Sequence, residues 1–416
     1  MRGSRRAAAL PEYLAAKLTR LTAEARAGGA DVIALGIGDP DTPPPAALRE
    51  ALVAAARADD AHGYPTNHGL APLREAVSRY YASRFGVDLD PEREVMPLLG
   101  AKEGLAHLCL AQLDPGDVAL VGDPGYPVYR GGPALAGAEV HGLPLTVSNG
   151  FLPVLSELTD DLVTRANLLI CGYPNNPTGA MAGSAFFEDL AAFGNDRSVP
   201  ICHDNAYAEL TFDGAVAGSF LSAGGARDCG IELYSLSKAL SLPGWRIAFA
   251  VGNAEMLGRL RGLKTHVDAG MWVAMQRAAV TAFDLIPAFS AEFRARYERR
   301  RDLVCGGLER AGVPLAWPQG GLYVWMPVPG GSTSLAYAER LLVEQSVVVG
   351  PGIAYGEHGE GYVRIALTAA DDRLEEAVER IVRTLRRLDY DIKKAQDKIL
   401  AAGLPPRLAE RLSYGK

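Results

Sequence analysis

Hydrophobic and polar positions follow two rhythms along the chain. In the first part apolar residues recur at helical spacing. A helix is predicted from Tyr13 to Ala27, a second over "PPAALREALVAAARAD" and a third over "LAPLREAVSRYYASRFG", with Leu73, Val77, Tyr80 and Tyr81 on one face. The loop "HGYPTNHG" between the last two is rich in turn formers. From residue 96 the rhythm changes. Short, continuous apolar runs ("VALVGDPGYPVY", "NLLICGYPNNPTG", "VPICHDNAYAEL", "IELYSLSKAL", "RIAFAVG") alternate with helical stretches. Strands buried on both faces read this way, so the pattern predicts an α/β fold with a mainly parallel sheet covered by helices. Four of these runs end in polar or Gly/Pro-rich segments, and ligands of open α/β sheets sit beyond such strand ends. A long helix follows, keeping Phe289, Phe293, Tyr297, Val304 and Leu308 on one face. "GGLYVWMPVP" opens a smaller α+β portion, "VVVGPGIAYGEHGEGYVRIAL" continues it, and "AADDRLEEAVERIVRTLRRL" closes it as an amphipathic helix. The Lys/Arg-rich tail from Asp391, with its "LPP" break, reads either as a docking helix or as a loose end.

Composition narrows the class. The 416 residues suffice for two domains, and 48% hydrophobic with 22% charged residues excludes a disordered or fibrous chain. A net charge of −7 argues against a general nucleic-acid surface. No apolar run reaches the length of a membrane span, and "MRGSRRAAALPEYLAAKL" lacks the apolar centre of a signal peptide. Cys109, Cys171, Cys202, Cys229 and Cys305 are scattered and form no CxxC pair. Neither a disulfide framework nor a metal site is expected, and a reducing cytoplasm is.

The candidate chemistry lies in "YSLSKALSLPGWRIAFAVG". Lys238 stands among serines and apolar residues, with Arg246 eight positions on and both flanks apolar enough for burial. A desolvated amine loses its proton and attacks carbonyls. A guanidinium grips phosphate through two oxygens, so a phosphorylated aldehyde explains both residues, with Ser235 and Ser237 as further donors. Each residue also has a plainer role: a lysine at a strand end, an arginine in a salt bridge. Other strand ends favour the first reading. Asp204 offers an anion for a pyridine nitrogen, or a helix cap; Tyr207 offers a partner for a ring oxygen, and Asn176 another, or a turn former. "GAK" at a helix start makes an anion cup through Ala101 and Lys102. Tyr126 can cover a ring or pack in the core; Arg364 can clamp a carboxylate or join a salt bridge.

Taken together, "NNPTG", "DNAY", "SLSK" with "GWR", and "VRIAL" resemble, in order, the fold-type I pyridoxal-phosphate enzymes of the class I/II aminotransferases. The resemblance runs from about Pro11 to about Leu388. "DVIALGIGDPD", "DPGYPVY", "YPNNPTGA" and "GEGYVRIALT" are similar to proteins of the LL-diaminopimelate aminotransferase type. The resemblance implies a large domain with a seven-stranded, mainly parallel sheet and a smaller α+β domain. The expected boundaries are 1–48 for an N-terminal arm with part of the small domain, 49–288 for the large domain, 289–390 for an interdomain helix and the small domain, and 391–416 for a tail. It implies pyridoxal 5′-phosphate held by Lys238 as a Schiff base, and proton transfer by the freed Lys238. Asp204 would pair with the ring nitrogen, Asn176 and Tyr207 with the ring oxygen, and Tyr126 would stack. Ala101, Lys102, Ser235, Ser237 and Arg246 would hold the phosphate, joined by Tyr64 from the partner of a homodimer with shared sites. Arg364 would bind the substrate carboxylate, with Asn176 beside it and the backbone at Ile37 and Gly38 closing over it. The implied substrates are an amino acid and a 2-oxo acid, with neither nucleic acid nor membrane as partner.

Two departures stand out: the apolar "ALSLPGWR" after Lys238, with Pro243 altering the turn, and Asn67 with His68 in the loop that would face the partner's substrate. Asn67, His68, Tyr323, Trp325 and Tyr355 are candidates for side-chain recognition, with packing the plainer role for the aromatics. The altered loops keep a second chemistry open: a lyase, cyclase or β/γ-replacement enzyme on the same scaffold, acting for instance on an S-adenosylmethionine-like substrate. A non-catalytic sensor is disfavoured by the retained Lys238.

Overall fold

The computed structural model of the chain describes residues 3–8, 10, 14–388 and 392–413. Its centre is a seven-stranded sheet built from β1 (Val95–Leu98), β2 (Val118–Asp123), β3 (Glu139–Pro144), β4 (Ala166–Cys171), β5 (Ile201–Asp204), β6 (Gly230–Ser235) and β7 (Ala248–Gly252), in the order β1-β7-β6-β5-β4-β2-β3. The expectation of a mainly parallel sheet holds. Only β7 runs against its neighbours, pairing antiparallel with both β6 and β1. Its first residue, Ala248, therefore lies opposite Ser235, the last residue of β6. That reversal brings the segment entering β7 to the edge where the parallel strands end.

The continuous apolar runs have the predicted cause. Leu120, Leu169, Ile201, Tyr234 and Phe249 enter one buried cluster, whereas their alternating neighbours Val121, Ile170, Cys202, Leu233 and Ala250 enter another on the opposite face. The edge strand β3 alternates exposed positions with half-buried ones and the buried Leu143, which is why it did not stand out as an apolar run. The predicted N-terminal helices fall at α1 (Leu14–Ala27), Ala46–Ala56 and α2 (Ala71–Phe85), while Tyr13 lies outside the described residues. Leu73, Val77, Tyr80 and Tyr81 of α2 are all buried.

A single helix, α3 (Val273–Arg310), joins two cores. Ala278, Ala282 and Ile286 pack on the large sheet, and Phe293, Tyr297, Val304 and Leu308 pack on a second cluster. That second cluster lines a three-stranded antiparallel sheet of β8 (Tyr323–Pro327), β9 (Gly350–Pro351) and β10 (Tyr362–Ala366), closed by the helix Asp371–Leu388. The N-terminal segment is stitched to this side: Ile33–Ala34 pair in parallel with Val347–Val348, and the Ala366 N–H donates to Leu35 O. Gly36 to Gly38 are thereby delivered to the end of the large sheet. In the tail, Ile392–Ala401 and Pro406–Ser413 form two short helices tied by a bond from Gln396 Nε2 to Ala409 O. No described helix is long and apolar enough to cross a membrane.

Candidate active site

The edge where the parallel strands end opens into a cavity of about 1060 Å³. Lys238, Asp204, Asn176, Tyr207, Tyr126, Ala101, Lys102, Ser235, Ser237, Arg246, Arg364, Ile37 and Gly38 all line it. Residues spread over more than three hundred positions of sequence thus meet at one place. Tyr64, Asn67 and His68 do not line it. Tyr64 is 95% exposed, Asn67 Nδ2 donates to Asp268 O, and His68 Nε2 lies 2.9 Å from Glu92 O.

Lys238 sits in the short helix Leu236–Ala239 directly after β6, and its Nζ donates to Gly38 O at 2.8 Å. Burial holds its ammonium below the usual pKa, against the opposing pull of Tyr323 and Asp39, with Arg364 and Arg246 pushing the same way as burial. Both apolar flanks of this segment are buried as expected, residues 234–236 on one side and 247–251 on the other, while between them Lys238 is half-buried and Arg246 is exposed. Arg246 adopts a left-handed φ of 56° after the turn Pro243–Trp245.

Asp204 is the last residue of β5 and is buried. Burial lifts its carboxyl to about 6, opposed by a 3.0 Å hydrogen bond from Tyr129 Oη to Oδ2. Its Oδ1 has no partner among the described residues, and no described lysine or arginine pairs with it. A buried carboxylate in that condition asks for a cation or a donor from a bound molecule.

Near β1, Gly100 (φ 96°) precedes a helix, Ala101–Gln112, that has no side-chain cap. The first backbone N–H groups of a helix have no partner within it, which leaves a cup for an anion. A Cβ at Gly100 would stand 2.2 Å from Arg246 Nη2, so only glycine lets the guanidinium close over that cup. Ser235 and Ser237 are buried beside it, with Ser235 Oγ accepting from the Ser237 N–H at 3.2 Å.

Opposite lies Arg364 on β10, buried yet paired with no carboxylate of the described residues. Its Nη1 donates to Asn176 Oδ1 at 2.9 Å and its Nη2 to Gly36 O at 2.8 Å, while Nε has no partner. The Tyr323 and Tyr355 rings flank it, 3.9 and 4.6 Å from Cζ to centroid. Tyr207 Oη donates to Tyr323 Oη at 3.3 Å, and Trp325 is buried off the cavity. Gly100 was legible as the glycine that opens the "GAK" helix start, whereas Tyr129 and the Gly36 carbonyl had not been singled out in the sequence. Tyr129 stands inside "DPGYPVY", but an aromatic in an apolar run looks like core. Glu103, His107 and Asp268 bring potential ligand atoms within 4.8 Å of one another, yet Lys264 Nζ already bonds both Glu103 and Asp268. That ammonium supplies the local positive charge itself.

An α/β fold whose strand ends gather a half-buried amine, an anion cup, and a buried carboxylate and a buried arginine without opposite charges among the described residues has the makings of a cofactor-dependent enzyme. Comparison with known proteins makes this specific: residues 30–381 match the model of the aminotransferase class I and II family, and the chain belongs to that family. It is 46% identical over 390 residues to LL-diaminopimelate aminotransferase of Moorella thermoacetica, covering 94% of this chain and all of the relative. It is 42% identical to LL-diaminopimelate aminotransferase 2 of Trichormus variabilis, covering 92% and 98% of the two chains. Among solved structures, substrate-bound BacF from Bacillus subtilis superposes with a TM-score of 0.89 at 35% identity, over 92% of this chain and 98% of that one. An aspartate aminotransferase mutant of Thermus thermophilus reaches 0.85 at 28% identity, over 92% and 100%. The protein is a pyridoxal 5′-phosphate-dependent aminotransferase, and these matches favour amino transfer over the lyase or replacement chemistry.

Proposed function

We propose that the chain moves the α-amino group of an L-amino acid to a 2-oxo acid in this cavity, with LL-diaminopimelate, the compound its relatives are named for, as the first donor to test. The observation that carries the reading is Arg364, a buried guanidinium without a carboxylate partner among the described residues, facing the same cavity as Lys238. A substrate α-carboxylate supplies the missing charge through a bidentate pair.

The cofactor's fit rests on four features already described. The free Oδ1 of Asp204 suits a protonated ring nitrogen. The cup at Ala101 and Lys102, with Ser235, Ser237 and Arg246, suits a phosphate. Asn176 and Tyr207 suit a ring oxygen, and Tyr126 suits stacking. When bound, the cofactor supplies an aldehyde for attachment and a ring that accepts the electrons of the substrate Cα. Lys238 would provide the attachment point and, once released, its Nζ would take up the substrate Cα proton and hand it on. Burial suits it to this, since an amine held below its usual pKa is a better base near neutrality. Ile37 and Gly38, on the segment stitched to the small sheet, border the cavity on one side, where their backbone would close over the bound carboxylate.

The same reading has Tyr64 complete the phosphate site of a second copy, in a homodimer with shared sites whose partner-facing loop carries Asn67 and His68. Its 95% exposure supports that role. The division at 48, 288 and 390 and a cytoplasmic setting, supported by five unpaired thiols, belong to this proposal.

The test is a half-reaction. Enzyme loaded with cofactor is mixed with LL-diaminopimelate, L-glutamate, L-alanine, L-aspartate or S-adenosylmethionine, without any oxo acid. One amino acid should bleach the bound cofactor's long-wavelength absorbance and release one equivalent of its 2-oxo acid. Lys238→Ala should fold but lose that absorbance. Turnover of S-adenosylmethionine with no such release would refute the reading.

A further inference from the structure

Tyr323 is buried, lines the cavity and touches the parts of the site that handle different ends of the chemistry. Its place follows from strand register. Tyr323 on β8 lies opposite Ala366 on β10, and Arg364 is two residues from Ala366, on the same face. Diagonal neighbours of this kind are within reach of an aromatic ring, and the small Ala366 leaves that ring room to lean over the arginine. The result is the 3.9 Å approach of the guanidinium carbon to the ring centroid. With the Tyr355 ring at 4.6 Å, Arg364 is held between two aromatic faces, in an orientation no carboxylate of the described residues imposes.

The other end of the side chain meets Tyr207. The Tyr207 hydroxyl donates to Tyr323 Oη at 3.3 Å. A phenol has one proton, so when Tyr207 donates to another oxygen, Tyr323 must become the donor in this pair. A chain of two hydroxyls polarises each bond in it. The same Oη also fills the space beside Gly38, where a Cβ would come within 2.1 Å of it, and Gly38 O holds the Lys238 amine.

We propose that Tyr323 is a positioning residue that couples the two halves of the site: its ring orients Arg364 for the substrate carboxylate, and its hydroxyl strengthens donation by Tyr207. The inference rests on the reading of Arg364 and Tyr207 given above. It predicts that ring and hydroxyl separate on mutation. Tyr323→Leu, in the loaded enzyme with LL-diaminopimelate and L-glutamate as donors, should raise KM by about ten- to thirtyfold, as expected for loss of a desolvated cation–π contact, with kcat changed by less than about threefold. Tyr323→Phe should keep KM within about twofold. It should instead move the pH midpoint of the bound cofactor's absorbance upward, because a weakened donor stabilises a ring oxygen anion less. An unchanged KM in Tyr323→Leu, or an unmoved midpoint in Tyr323→Phe, overturns the coupling. Arg364→Ala separates the two levels. If it raises KM and Tyr323→Leu does not, only the coupling fails; if it leaves KM unchanged, the carboxylate reading fails and the coupling with it. Should Tyr323→Leu not fold, the midpoint of Tyr323→Phe decides alone.

Discussion

At the scale of single residues, the site is a set of groups whose native surroundings leave something unmet. Asp204 is the clearest. Its carboxyl is lifted from an ordinary 3.8 to about 6 by burial, with one oxygen bonded to Tyr129 and the other without a partner among the described residues. In cofactor-stripped protein the folded state therefore holds a proton that the unfolded chain releases. That contribution to stability is complete below pH 3.8 and is lost as pH rises through about 6. Asp204→Asn should remove the dependence, leaving the stripped variant more stable than the parent near pH 7, while amino transfer falls by a factor on the order of a thousand or more for want of the ring-nitrogen partner. Thermal melts of stripped protein across pH 4.5–7.5, alongside turnover, check both. Asp204 was legible in the sequence because a carboxylate closing an apolar run is conspicuous. Tyr129 and the coupling role of Tyr323 were not, since their partners come from other elements and a buried aromatic is the commonest thing in a core.

At the scale of elements, what fixes the cavity wall is a buried network behind it. Successive residues of a strand face opposite ways, so Asp204 looks into the cavity while His203 looks into the core. His203 Nδ1 lies 2.8 Å from Glu232 Oε2, and its Nε2 accepts from the Tyr173 N–H at 3.2 Å. Glu232, fully buried on β6, also accepts from Tyr81 Oη (2.8 Å), Ser219 Oγ and the Phe220 N–H (2.9 Å). The network ties α2, β5 and β6 together beneath Asp204 and Lys238. Tyr81→Phe should cost about 1–2 kcal/mol in urea unfolding, the penalty for removing one donor from a buried carboxyl group, with the cofactor's absorbance unmoved. The sequence showed β5 and β6 as apolar runs, but not this layer, whose members Tyr81 and Glu232 stand 151 positions apart. Nor did it show the direction of β7: the connector from Leu236 to Ile247 has nothing in its composition that requires a reversal.

At the scale of the whole molecule, the site depends on two cores keeping their relation. Asp123, buried at the end of β2, accepts from Arg130 Nη1 at 2.8 Å and from the N–H groups of Glu357 and His358 at 3.2 Å each. These bonds fasten the segment after Tyr355 to the large sheet. Gly356 (φ 136°) must be glycine there, since a Cβ would lie 1.9 Å from Asp123 Oδ1. Asp123→Ala should destabilise the protein by about 2–3 kcal/mol, because a guanidinium and two amides lose their acceptor. It should also quicken limited proteolysis within Gly356–Gly359 by about tenfold or more, the readout specific to this fastening.

The reversed strand β7 has a last consequence, one of polymer physics. Because β6 and β7 form an antiparallel pair, Lys238 and Arg246 lie in one connector whose ends are pinned at Ser235 and Ala248. A molecule bonded to the first residue and gripped by the second bridges eight positions of chain. Under the proposed reading the cofactor is thus a cross-link within a single loop as well as a reagent. It removes conformational freedom from a stretch that contains two non-glycine residues with left-handed backbone, Ser241 and Arg246. The order of that stretch, and with it the shape of the phosphate cup, is then partly a property of the bound molecule.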